Sequence, residues 1–248
     1  MRQAIGLPTV GEFADVHALV DLAVRAEEHG WDGVHLWDHL LYHEPGWQVT
    51  SSLVAASAVA QATSRLKILL TVVLPRRQVQ DVARDMATLD ALSRGRLTLI
   101  TIIGSMDSEY ADFGLDPDMR QRGRELDARL DRMTQLWSQW EVPDIPIWCG
   151  ARWPRKVGLR RAARWDGAMV TFTGQREGNV PVAEFAQAAQ FLRDQAPRAV
   201  ELAVEGRTAP GDSLSSYVEA GMTWWIEAFG WWRGGLSQAH QRTSAGPS

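Results

Sequence analysis

The chain has 248 residues, 45% of them hydrophobic and 23% charged, the composition of a folded globular protein rather than a disordered one. A formal net charge of -4 gives no electrostatic case for binding nucleic acid, and no run of about 18 apolar residues exists to cross a membrane. The single cysteine, Cys149, excludes an internal disulfide and a cysteine-clustered metal site.

Met1 to Thr9 lack the apolar core of a signal peptide, so a cytoplasmic protein is expected. In chain order, Ala4 to Val10 reads as a strand. Asp15 to Gly30 reads as a helix with Asp15 as N-cap and Gly30 just past its end. Gly33 to Trp37 is a short apolar run, Ser51 to Thr63 an Ala-rich helix and Leu66 to Leu74 a strand of Leu, Ile and Val. Gln78 to Leu92 is helical, Arg96 to Ile103 extended, and Arg120 to Trp140 a long helix with Leu126, Leu130, Met133 and Trp137 inward. The pattern repeats as Ile145 to Cys149 and Pro154 to Ala163, Gly167 to Phe172 and Val182 to Arg193, Val200 to Val204 and Ser213 to Ala220. Met222 to Ala228 and a last helix over Gly235 to His240 complete it.

Eight strand–helix alternations in 248 residues, about 31 residues each, predict an α/β chain folded as a single (β/α)8 barrel domain over 1–248. In such a barrel the functional groups stand on the loops after the strands, here beginning near Thr9, Asp38, Leu74, Gly104, Gly150, Phe172, Gly206 and Ala228. The longest are Asp38 to Val49 and Gly104 to Met119.

Asp38 and His39 open the first long loop. An Asp–His pair at a strand end can carry a proton near neutral pH, or can cap the strand and bond its own loop. Neighbours on an extended chain point to opposite sides, so the two are not expected to bond each other. His35, His39 and His43 have the spacing of a helical metal face, but His35 lies in the strand pattern and no metal site is expected. Glu109 in the second long loop can act as acid or base, or sit in the first turn of a short helix. Gly150, Ala151 and Arg152 read as a loop opening a helix, where phosphate binds free backbone N–H groups. Trp224, Trp225, Trp231 and Trp232 are expected to pack at the rim.

Several segments together resemble the bacterial luciferase-like family of flavin-dependent oxidoreductases. They are Ala26-Glu27-Glu28-His29-Gly30-Trp31-Asp32-Gly33-Val34, Trp37-Asp38-His39-Leu40, and Leu89-Asp90-Ala91-Leu92-Ser93-Arg94-Gly95-Arg96-Leu97. Further ones are Glu109-Tyr110, Ile145-Pro146-Ile147-Trp148, Arg161-Ala162-Ala163-Arg164-Trp165-Asp166-Gly167 and Ala220-Gly221-Met222-Thr223-Trp224-Trp225. They follow the family order over nearly the whole chain.

The resemblance implies a (β/α)8 barrel with a cofactor at its C-terminal face: FMN, or alternatively the deazaflavin coenzyme F-420. It places His39 on the family's active-site histidine and Glu109 near an acidic position of the deazaflavin branch, both catalytic. Asp38, Thr71, Gly104, Gly150, Ala151, Arg152 and Gly206 fall on cofactor-binding segments. The first expectation is a monooxygenase using reduced flavin and oxygen on a small-molecule substrate, with a flavin reductase as partner. The second is deazaflavin-dependent hydride transfer, and the third a non-catalytic flavin-binding or interaction barrel. The amphipathic helix faces are compatible with a homodimer. Two features depart from the family pattern. Ile100 and Ile102 replace glycines of the fourth strand and would fill the space these leave, and only seven residues separate Trp137 from Ile145, where a pocket-walling insertion is usual.

Overall fold

In a computed structural model describing residues 1–248, eight parallel strands close into a barrel in sequential order. The elements are β1 (Arg2–Leu7), α1 (Val16–Glu28), β2 (Gly33–Leu36), α2 (Ser52–Ala62), β3 (Lys67–Val73), α3 (Val79–Ser93), β4 (Leu97–Ile102) and a single turn, α4 (Ser108–Ala111). There follow α5 (Met119–Gln139), β5 (Ile147–Arg152), α6 (Lys156–Ala162), β6 (Gly167–Thr171), α7 (Val182–Gln195), β7 (Glu201–Gly206), α8 (Ser215–Glu219), β8 (Trp224–Ala228) and α9 (Gly235–Ser244). No helix is long and apolar enough to cross a membrane.

Local chemistry sets the ends of these elements. Asp15 caps α1 by accepting the His17 N–H at 2.9 Å, and Asp118 caps α5 by accepting the Gln121 N–H at 2.7 Å. α3 stops where Arg94 and Gly95 turn to φ 58° and 76°.

The core has two parts. Leu69, Ile100, Trp148, Met169, Trp224 and Ile226 belong to a cluster of 8 filling the barrel, whereas 54 buried residues pack between the sheet and its helices. Most of the apolar burial that stabilises the fold therefore lies outside the barrel, where one face of each helix meets the strands. Ile100 occupies the interior as its strand parity requires.

Three local expectations are corrected. Gly150, Ala151 and Arg152 are the last residues of β5, not a loop, because they pair with Met169, Val170 and Thr171 of β6. The following helix begins at Lys156, so Pro154 lies outside it. Gly206 is the last residue of β7, paired with Glu227, and the loop after it begins at the next residue, as expected. The Trp quartet divides. Trp224 lies inside the barrel and Trp225 outside it against Tyr217, while Trp231 and Trp232 reach the mouth.

Candidate active site

His39 stands three residues beyond β2, and Glu109 on α4, the turn that follows β4; barrel closure brings them together over the end of β3. The Glu109 carboxylate is fully buried and takes the Leu40 N–H at 2.6 Å and His39 Nδ1 at 3.1 Å through the same oxygen. Its other oxygen is 2.8 Å from Nη1 of Arg76, whose side chain is 1% exposed, in the 3-10 turn after β3. Burial by itself would push the Glu109 carboxyl up. The hydrogen bond from His39, the charges of Arg76 and His39 and the Leu40 N–H outweigh it and hold the group below the usual carboxylate range. Glu109 is therefore ionised at neutral pH and can only accept. A proton therefore sits on His39 Nδ1, and in the neutral form of the imidazole it is Nε2 that carries the lone pair.

Asp38 serves a different partner set, as alternation along the chain predicts. It accepts the Val73 N–H at 2.8 Å and Arg77 Nη2 at 2.7 Å, and lies 3.3 Å from Arg76 Nη2. Only 3% exposed, it ties the end of β2 to the end of β3 and, through Arg76, shares a cation with Glu109. This network is a positioning device for the His39 loop. Thr71 is 6% exposed, inside β3, with its hydroxyl on His35.

The three glycines expected to face a ligand are each met by a side chain of the protein. The Ile102 side chain fills the place of a Cβ on Gly150, and Trp225 that on Gly206. Gly104 has φ 75°, and a Cβ there would press on Val73 at 3.0 Å and Tyr110 at 3.2 Å. In all three the missing side chain serves packing. Arg152 does line open space: with Trp153, Pro154, Arg155 and Thr173 it surrounds a cavity of 310 Å3 at the ends of β5 and β6.

His35, His39 and His43 go to three environments: the barrel interior, Glu109, and an exposed position against the Tyr42 ring at 4.7 Å. Around His39 the walls are aromatic. Trp37 and Tyr42 have ring centroids 6.0 and 5.2 Å from the imidazole, and Trp232 stacks on Trp37 at 5.8 Å. The Arg176 guanidinium lies 4.9 Å from the Trp232 ring, bringing the loop after β6 over the mouth. Sequence reasoning missed Arg76 and Arg77. The available signal was Pro75-Arg76-Arg77 directly after a barrel strand, on the face that carries function.

The model of a family described as luciferase-like monooxygenase matches residues 2–246. Among curated relatives, an F420-dependent glucose-6-phosphate dehydrogenase of Gordonia bronchialis is 32% identical over 143 residues, 56% of this chain and 42% of that protein. One of Nocardia farcinica is 28% identical over 242 residues, 86% of this chain and 71% of the relative. The first such relatives are thus matched over about two-fifths of their own length. Among solved structures, a coenzyme F420 dependent tetrahydromethanopterin reductase from Methanopyrus kandleri superposes with a TM-score of 0.72 at 13% identity, over 98% of this chain and 96% of that one. An EDTA monooxygenase from Chelativorans sp. BNC1 gives 0.69 at 15% identity, over 89% and 65%. These superpositions show the shared barrel.

Proposed function

The chain belongs to the luciferase-like monooxygenase family, and we propose that it is a deazaflavin-dependent oxidoreductase that oxidises a small alcohol, with His39 as the base. The observation that carries this reading is the buried Glu109 carboxylate fixing the His39 tautomer at the barrel mouth. The curated relatives, named as F420-dependent dehydrogenases, support the deazaflavin over FMN. Reduced-flavin monooxygenation, placed first by the sequence, falls behind, because the EDTA monooxygenase shares only the fold, at 15% identity.

The residues present fit an acidic cofactor. Two guanidinium groups and a hydroxyl, on Arg152, Arg155 and Thr173, surround the 310 Å3 cavity, a donor set that suits phosphate. Arg152 and Arg155 would hold that group. When bound, the deazaflavin supplies a two-electron acceptor for the hydride leaving the alcohol carbon. The protein manages the proton. Nε2 of His39 accepts it from the substrate hydroxyl as the carbonyl forms, and Glu109 stabilises the resulting imidazolium. Asp38 and Arg76 keep the loop carrying His39 in place, and Trp37 and Tyr42 limit water around the imidazole.

Fluorescence titration with the oxidised deazaflavin and with FMN, followed by anaerobic alcohol-dependent bleaching, tests the proposal. Preferential FMN binding, with rapid oxygen uptake by the reduced complex, would overturn it in favour of monooxygenation. Failure to bind either cofactor at micromolar concentration would leave a non-catalytic barrel. His39→Asn is expected to lower turnover by roughly 10²–10⁴-fold, the worth of a positioned base, while cofactor affinity changes far less.

A further inference from the structure

Below the mouth, the barrel interior holds a second acid–base pair that this reaction leaves unused. Glu205 is on β7, two residues beyond Ala203 of the interior cluster, and therefore faces the same way one layer nearer the mouth. His35 is on β2, with 2% of its side chain exposed. Between these strands run β8 and β1, and the side chains meet across the barrel interior beside Gly6 of β1, where a Cβ would crowd an Ile226 methyl at 2.8 Å and stand in ordinary contact, 3.6 Å, with Glu205 Oε1.

His35 Nε2 is 2.8 Å from the Thr71 hydroxyl, and its Nδ1 is 3.3 Å from Glu205 Oε1. The second contact is close but misaligned. Both Nδ1 and Oε1 are buried without a directed hydrogen bond, and 14% of the Glu205 side chain stays open. A carboxyl oxygen buried without an aligned donor is costly unless something supplies one.

We propose that Glu205 is a ligand-binding carboxylate at the floor of the mouth, oriented by His35 and Thr71, which takes an N–H or O–H donor of the bound molecule. The inference rests on reading that mouth as the reaction site. A purely structural ion pair makes the opposite prediction for stability. Its loss would leave a buried charge uncompensated and lower the melting temperature sharply.

Glu205→Gln separates the two, because Gln keeps the shape and an oxygen for His35 but removes the charge. Without ligand, the variant is expected to melt at or above the wild-type temperature, as binding groups held without partners cost stability. Its dissociation constant for the oxidised deazaflavin should rise at least about tenfold, the scale of one lost charged hydrogen bond. His35→Asn should weaken binding too, and the double variant should bind no worse than the weaker single one, since both act through one carboxylate. A large fall in melting temperature for Glu205→Gln would overturn the inference. So would unchanged binding of both deazaflavin and FMN. If the wild type binds neither cofactor, the functional reading falls, and the melting comparison still decides between a poised carboxylate and a structural pair.

Discussion

Replacing Glu109 by Gln removes a charge from a place no water reaches. Glu109 is fully buried and the side chain of its partner Arg76 is 1% exposed, and the guanidinium would lose one of its two carboxylates. Removing one member of a buried pair costs about 3–5 kcal/mol. Asp38 remains 3.3 Å from Arg76, which puts the expected loss near the low end, about 3 kcal/mol. At ~2–4 °C per kcal/mol for a domain of this size, the melting temperature should fall by about 6–12 °C in differential scanning calorimetry. The pH dependence has a definite sign. Because the folded Glu109 carboxyl lies below its ordinary value, its contribution is complete above the unfolded value of about 4.3 and is lost as pH falls through the folded one. The melting gap between wild type and variant should thus be constant from neutral to mildly acidic pH and close below about pH 4. Turnover should drop by roughly 10²–10⁴-fold, since the amide no longer enforces a proton on Nδ1. A variant that melts with the wild type and turns over normally would refute both the ion-pair and the tautomer arguments.

Gly150→Ala should destabilise by about 1–3 kcal/mol through the clash with Ile102, and adding Ile102→Ala should relieve part of it, making the double variant in urea melts less unstable than the sum of the singles. Glu227→Ala should cost about 3–5 kcal/mol, because the fully buried carboxylate pairs with Arg233 and bonds Thr208 and Trp225; cofactor affinity, measured by titration, should hold. Burial pushes the Cys149 thiol up to about 11, so a thiol reagent at pH 8 should label it only after denaturation.

The sequence by itself determined the barrel. Strand and helix periods are local, and eight alternations leave few ways to bury both faces of a parallel sheet. It also put His39 and Glu109 on the functional end, because loops after strands share one face. Strand ends were less legible: β5 runs on through Gly150 to Arg152 because β6 offers partners that no local pattern displays. What only the tertiary structure decided is which groups meet. Glu109 was equally readable as a short-helix carboxylate, and it becomes the partner of a histidine 70 residues away only once β2, β3 and β4 lie side by side. Asp38, adjacent to His39 in sequence, goes instead to Arg76 and Arg77, because alternation turns neighbouring side chains apart. Ile102 over Gly150 and His35 beside Glu205 have the same origin. Each pairing is set by barrel register and closure, which link residues that sequence spacing leaves independent.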